Sequence, residues 1–258
     1  MSEPIEKSGE RRPHAERNAL RAHTPARVGL RTAGKSLATS EILDLNLSLA
    51  VARDAIHARL STASLLLQFA SRGWKPIIVK SAAGDRAEYL HRPDLGRRLD
   101  EASRGFLEQS PAGLSANPVV IVIADGLSAI AAERHASPLL EALAAHAAEI
   151  DAAPVVIVEE ARVAIGDEIG ELLKAQLTLL LIGERPGLSS PDSLGAYITW
   201  QPRVGRTDAE RNCISNIRPE GLSYAEAAAK IAHLLRAAAA RQLTGVDLKE
   251  DSVFLPKI

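Results

Sequence analysis

Glu184 directly follows an uninterrupted apolar run, Leu177 to Ile182, and sits in the break Gly183-Glu184-Arg185-Pro186-Gly187. A run of this kind bounded by Gly and Pro predicts a strand covered on both faces, as in a parallel sheet. The break then falls at the carboxyl end of the strand, where open α/β sheets meet their ligands. On residues alone two readings of Glu184 stand: a carboxylate that accepts hydrogen bonds from a ligand, or one that caps its own turn and pairs with Arg185. Cys213, the single cysteine, begins a short candidate strand inside the stretch NCISN. It reads either as a contact residue there or as a small buried hydrophobe. Asp125-Gly126-Leu127-Ser128 ends another apolar run. No Gly-x-Ser-x-Gly elbow surrounds Ser128, so no hydrolase nucleophile is indicated, and Asp125 and Ser128 are read as turn and helix-capping residues, with a place on the ligand-facing side as the other reading.

Other chemistries lack their residues. His57, His91, His135, His146 and His233 share no metal-ligand spacing. One cysteine can neither form an internal disulfide nor complete a Cys/His zinc site, and it suits a reducing compartment. There is no Gly-x-Gly-x-x-Gly after a strand and no Walker lysine, so no motif supports a nucleotide site. The 31 basic and 32 acidic residues leave a net charge of −1, which provides no field to draw nucleic acid or an anionic membrane. With no apolar window of about eighteen residues and no secretory signal, the chain is expected to stay inside the cell.

These residues must be positioned by a chain of 258 residues, 46% of them hydrophobic, enough for one large or two smaller domains with a substantial core. The predicted class is α/β. Residues 1–24 are charged, with hardly an apolar side chain, and are expected to be a disordered tail outside the fold. Residues 25–112 are expected to form a mostly helical domain. Within it, Ser40 to Leu60 has a helical face at Ile42, Leu43, Leu45, Leu49, Ala52, Ile56 and Leu60 with Ser40 as N-cap; a second helix begins near Asp94, and a short apolar run spans Pro76 to Val79. Over residues 113–258 the apolar runs Pro118 to Ala124, Pro154 to Glu159 and Leu177 to Ile182 alternate with helical stretches Pro138 to Glu149 and Gly166 to Ala175. That alternation predicts a Rossmann-like domain on an open parallel sheet. Tyr197 to Trp200 and Cys213 to Ile217 are shorter candidate strands. A closing helix, Ser223 to Gln242, opens with a capping box between Ser223 and Glu226.

Two stretches, IGERPGLSSPDSLGAY (Ile182 to Tyr197) and DAERNCISNIRPEG (Asp208 to Gly221), carry a resemblance to the small (light) subunit of ethanolamine ammonia-lyase. It is supported by VVIVIADGLS (Val119 to Ser128), RVAIGDEIGELL (Arg162 to Leu173) and DRAEYLHRPDLGRRL (Asp85 to Leu99), while the first 25 residues carry none of it. The resemblance implies adenosylcobalamin (coenzyme B12) as cofactor, with Val163, Glu184 and Cys213 contacting it. Val163 would otherwise pass for an ordinary core valine. It also implies a heavy (large) subunit as partner, a separate TIM-barrel chain that holds ethanolamine while this chain covers the cobalamin from the other side. The assembled enzyme would convert ethanolamine to acetaldehyde and ammonia by radical chemistry. No Asp-x-His-x-x-Gly is present, so bound cobalamin would keep its own dimethylbenzimidazole as lower ligand. No catalytic residue and no metal ligand is assigned to this chain. The implied location is the cytoplasm or the interior of a bacterial microcompartment. The alternative is a free-standing Rossmann-like nucleotide-binding enzyme, followed by a scaffold that has lost its cofactor.

Overall fold

A computed structural model describes residues 21–110 and 118–249. Most of the expected N-terminal tail lies outside these residues; Arg21, near its end, forms an ion pair of 3.0 Å with the buried Glu41. A small hairpin, β1 (Thr32–Ala33) and β2 (Ser36–Leu37), leads into α1 (Thr39–His57) and α2 (Thr62–Ala70). Then follow β3 (Ile77–Lys80), α3 (Arg86–His91) and α4 (Glu101–Glu108). The second half runs β4 (Val119–Ala124), α5 (Ala129–Ala144), β5 (Val155–Glu159), α6 (Ile165–Leu172), β6 (Leu177–Gly183), β7 (Leu194–Trp200), β8 (Arg211–Ile217) and α7 (Tyr224–Arg241).

Six strands form one sheet in the order β3-β5-β4-β6-β7-β8. The first four in that order are parallel, whereas β7 and β8 run antiparallel, so the sheet is mixed rather than wholly parallel as expected. Connection length explains the difference. Residues 184–193 and 201–210 are too few for a crossover, which takes a dozen or more residues, usually with a helix. The edge strand β3 comes from the mostly helical part of the chain and pairs Ile77 with Val156 through Lys80 with Glu159.

All six residues of β4 are buried. Val119, Ile121 and Ile123 face a layer that includes Leu139 and Leu143 of α5 and Ile231 and Leu235 of α7, while Val120, Val122 and Ala124 face Ile165 and Ile169 of α6. A strand covered on both faces has to be apolar at every position, which is why the run does not alternate. Each fully buried aliphatic side chain contributes roughly 1.5–3 kcal/mol, so the central strands, not the edges, carry the sheet. Because α5 and α6 lie on opposite faces, the chain leaves β4 and β5 in opposite directions. Such a reversal opens a crevice at the carboxyl ends of the strands.

Several helices differ from expectation. The helix after β4 begins at Ala129, well before Pro138, which lies inside it. Near Asp94 there is a 3-10 turn, Leu95–Arg97, and the α-helix starts only at Glu101, where Asp100 caps it by accepting the Ser103 N–H at 2.7 Å. α1 starts one residue before Ser40, after Ala38, and its predicted core face is largely open: Leu43 is 63% and Leu49 50% exposed. Its buried apolar residues are the small Ala52 and Ala55, with Leu45 and Ile56 half-buried, while Ile42, Leu43, Leu47 and Leu49 stay exposed. The capping box of α7 is present: Ser223 Oγ accepts the Glu226 N–H and Glu226 Oε2 accepts the Ser223 N–H, both at 3.3 Å. Among the described residues no helix is long and apolar enough to cross a membrane.

Candidate functional site

The loops after β4, β5 and β6 line a cavity of about 420 Å³ at the crevice, closed from the sides by Tyr89 of α3 and Tyr197 of β7. The approach of the β4 and β6 loops depends on two glycines. Gly126 has φ +56°, and a Cβ there would lie 2.1 Å from the Gly183 carbonyl oxygen; a Cβ on Gly183 would lie 2.0 Å from the Ser128 carbonyl oxygen. Only glycine permits this contact. The Leu127 N–H donates to the Gly183 carbonyl at 3.0 Å and locks it.

Glu184 and Val163 both line this cavity. Glu184 Oε2 accepts from Ser193 Oγ at 2.6 Å and from the Asn216 N–H at 3.1 Å, so two later segments fix the carboxylate. Its other oxygen, Oε1, has no hydrogen-bond partner among the described residues, and Glu184 makes no ion pair with Arg185 there. The turn-pairing reading of Glu184 is therefore replaced by a carboxylate with one anchored and one available oxygen. Val163 packs against the core beneath α6 while presenting a half-buried side chain to the cavity. Cys213 lies on β8 opposite Tyr197, exposed, with Sγ 3.4 Å from Ser215 Oγ. It is not a buried hydrophobe. Nor does it line the cavity itself; its cross-strand neighbour Tyr197 does, and burial together with the adjacent thiol raises that phenol above the usual tyrosine range.

A buried polar cluster behind the cavity is absent from the sequence reading. Asp125, at 0% exposure, accepts the Ala161 N–H at 2.9 Å on Oδ1 and, on Oδ2, the Glu160 N–H and Arg86 Nη1, both at 3.0 Å. Arg86 also donates to the Gly126 carbonyl at 2.9 Å, to Glu160 at 3.1 Å and, through Nε, to the Ile56 carbonyl at 2.7 Å. One guanidinium thus ties α1, β4 and the β5 loop together. Glu160 is held at φ +55°, a left-handed conformation that its two partners Asp125 and Arg86 stabilise. Burial pushes the Asp125 carboxyl above its ordinary range, and the Ala161 N–H and Arg86 pull it back. Tyr89 lies between two guanidinium groups, Arg86 at 4.8 Å and Arg162 at 4.2 Å from the ring centre, and donates its hydroxyl to the Ala161 carbonyl at 3.0 Å. Burial raises its phenol as well.

The expected capping roles change accordingly. The Asp125 side chain holds the β5 loop rather than its own turn, and Ser128, although it stands at the N-cap of α5, donates instead to the Pro191 carbonyl at 2.9 Å. The Asp125–Arg86 contact joins residues 39 apart, so no local pattern announces it. A weak signal existed in DRAEYL, where Arg86 and Tyr89 stand three apart and share one helical face.

The site offers a carboxylate acceptor, Glu184 Oε1, and a donor, Arg162 Nε, which is buried without a hydrogen-bond partner among the described residues. A ligand edge carrying primary amides, each both N–H donor and C=O acceptor, answers both. No group of three or more His, Cys, Asp or Glu side chains among the described residues could hold a bare metal ion.

The family model "Ethanolamine ammonia-lyase light chain (EutC)" matches residues 14–249. An "Ethanolamine ammonia-lyase small subunit" from Xanthomonas campestris pv. campestris is 54% identical over 237 residues, covering 90% of this chain and 87% of that protein. Proteins of the same name from Pseudomonas paraeruginosa (54% over 236 residues, 90% and 86% coverage) and Pseudomonas putida (52% over 240 residues, 91% and 87% coverage) are similar to it as well. With a match of this length and identity, the chain belongs to the ethanolamine ammonia-lyase light-chain, or small-subunit, family.

Proposed function

We propose that this chain is the light subunit of an adenosylcobalamin-dependent ethanolamine ammonia-lyase and that it binds and encloses one side of the cofactor while a heavy subunit holds ethanolamine. The observation that carries the reading is the crevice at the strand ends, lined by Glu184 and Arg162, whose Oε1 and Nε have no hydrogen-bond partner among the described residues. When bound, adenosylcobalamin supplies the radical chemistry that turns ethanolamine into acetaldehyde and ammonia. The protein's part is binding, orientation and exclusion of competing reactions.

Glu184 accepts amide N–H groups from the corrin rim, with its other oxygen clamped by Ser193 and Asn216 so that the acceptor does not rotate away. Val163 gives an apolar contact on the β5 loop. Cys213 extends the contact along β8 beyond Tyr197. Glu184 and Cys213 meet serine hydroxyls, Ser193 and Ser215, and all three residues are read as contact groups; we assign no catalytic residue to the chain. The three parallel strands β4, β5 and β6 with their helices are read as a Rossmann-like cobalamin-contacting domain from residue 113 onward, its sheet extended by the edge strand β3 from a mostly helical segment, 25–112. A cavity of about 420 Å³ takes an edge of such a cofactor and leaves the rest for a second chain to cover. The relatives' name, "small subunit", fits that division. The assembled enzyme is placed in the cytoplasm, free or inside a bacterial microcompartment.

Co-purification with a heavy subunit tests this directly. The chain alone, given ethanolamine and adenosylcobalamin, should produce no acetaldehyde, and the two chains together should. Turnover by this chain alone would overturn the assignment.

A further inference from the structure

A second cavity, of about 460 Å³, adjoins the crevice, and Arg162 and Val163 line both. Its remaining charged walls are Arg97, Arg206, Arg211 and one carboxylate, Asp208. Two of the arginines are already committed. Arg206 pairs with Glu210, and Arg211 pairs with the buried Asp167 and, at 2.9 Å, with Asp208. Arg97 and Arg162 have no carboxylate partner among the described residues. Two guanidinium nitrogens in the walls, Arg162 Nε and Arg211 Nε, are buried without a hydrogen-bond partner among the described residues, and the Arg211 side chain is only 3% exposed.

Buried donors left unsatisfied are costly, and native structures rarely keep them without a ligand or water to answer them. The answer here needs negative charge, because two guanidinium groups lack a counter-ion among the described residues, and it needs several acceptor oxygens in one group. Phosphate oxygens meet the planar fork of arginine in that way.

We infer that this arginine-lined cavity is a subsite for a phosphate ester, held by Arg97 and Arg162 with Arg211 Nε behind them. In the loaded enzyme the ester is the phosphodiester of the cofactor's nucleotide loop, a step that rests on the cobalamin reading of the adjoining crevice. The shared wall at Arg162 and Val163 lets one molecule occupy both cavities, with its amide-bearing edge at Glu184 and its anionic arm at Arg97.

Arg97 is the diagnostic position. It is exposed, has no side-chain partner among the described residues and does not line the crevice, so Arg97→Gln leaves the fold and the corrin contacts in place. The assembled two-chain apoenzyme is titrated with cobalamin, with cobinamide phosphate, and with cobinamide, which lacks the phosphate, and binding is followed by corrinoid absorbance. Arg97→Gln should weaken cobalamin and cobinamide phosphate about tenfold or more and leave cobinamide unchanged, with Arg97→Lys recovering part of the loss. Unchanged cobalamin affinity, or an equal loss for all three corrinoids, overturns the inference. A loss for cobalamin but not for cobinamide phosphate places the contact on the ribose or base and overturns the phosphate assignment. Saturable binding of inorganic phosphate that disappears in Arg97→Gln, with cobalamin binding unaltered, assigns the subsite to a free anion and overturns the cofactor half. If the wild-type assembly binds none of the corrinoids, the crevice reading fails instead, and the cofactor half fails with it.

Discussion

Asp125→Asn asks whether a buried negative charge, rather than a side chain of that shape, joins the ends of β4 and β5. Every group within hydrogen-bond reach of the carboxylate is a donor: the Ala161 N–H on Oδ1, and the Glu160 N–H and Arg86 on Oδ2. Asparagine has one acceptor oxygen and one NH2 donor. With the oxygen turned toward Arg86 and Glu160, the NH2 faces the Ala161 N–H; turned the other way, two donors lose their acceptor. At least one buried N–H is orphaned, at about 1–3 kcal/mol. Removing one partner of a buried ion pair costs about 3–5 kcal/mol, but Glu160 remains 3.1 Å from Arg86, which puts the expected total near the lower end, about 3 kcal/mol. A domain is stable by only about 5–15 kcal/mol, so a loss of this size is large. Trp74 and Trp200 are both 8% exposed and report unfolding by fluorescence. Urea titration should show a lowered midpoint with an unchanged slope. A loss below about 1 kcal/mol would refute the claim that the charge, and not the shape, is what the cluster requires.

The loop before β8 should be acid-sensitive: the Thr207 N–H and the Arg206 guanidinium hold the Glu210 carboxyl down to about 2, below its ordinary 4.5. A folded value below the unfolded one stabilises above the unfolded value and is lost as pH falls, so the wild-type advantage over Glu210→Gln in urea midpoint should shrink between about pH 4.5 and 2; a constant difference across that window would count against the pairing. The exposed Cys213 should be alkylated readily in the chain alone and more slowly in the assembled enzyme loaded with adenosylcobalamin, and Cys213→Ala should keep part of the turnover; a labelling rate indifferent to cofactor, or complete loss of turnover in a loaded Cys213→Ala enzyme, contradicts its reading as a contact residue.

Whatever depends on neighbours in sequence was legible before the structure. The continuous apolar runs of β4, β5 and β6 announce strands buried on both faces, and the Ser223–Glu226 capping box marks the start of α7 to the residue. Glu184 and Val163 could be placed at one rim because a sheet of this type gathers the carboxyl ends of its strands. Strand direction was harder. β7 and β8 have the same apolar character as parallel strands, and only the short connections 184–193 and 201–210 give away the reversal. The face of α1 misled because periodicity reports a helix but not what covers it; Leu43 and Leu49 have the right spacing and remain exposed. The Asp125–Arg86–Glu160 cluster joins residues 39 and 74 apart, and such contacts leave no trace in local pattern.

The most direct test of the account is cobalamin affinity in a Glu184→Gln enzyme assembled with its heavy subunit. Glutamine can keep its oxygen toward Ser193 and Asn216, preserving the contacts that hold the loop, while its NH2 replaces the free Oε1. The fold then survives and the acceptor becomes a donor. Losing a charge-assisted hydrogen bond of about 1.5–3 kcal/mol corresponds to roughly a ten- to hundredfold weaker Kd. The account predicts that loss in a corrinoid titration, with the urea midpoint of the chain unchanged. Equal affinity in wild type and Glu184→Gln, at equal stability, would mean that Glu184 does not meet the cofactor.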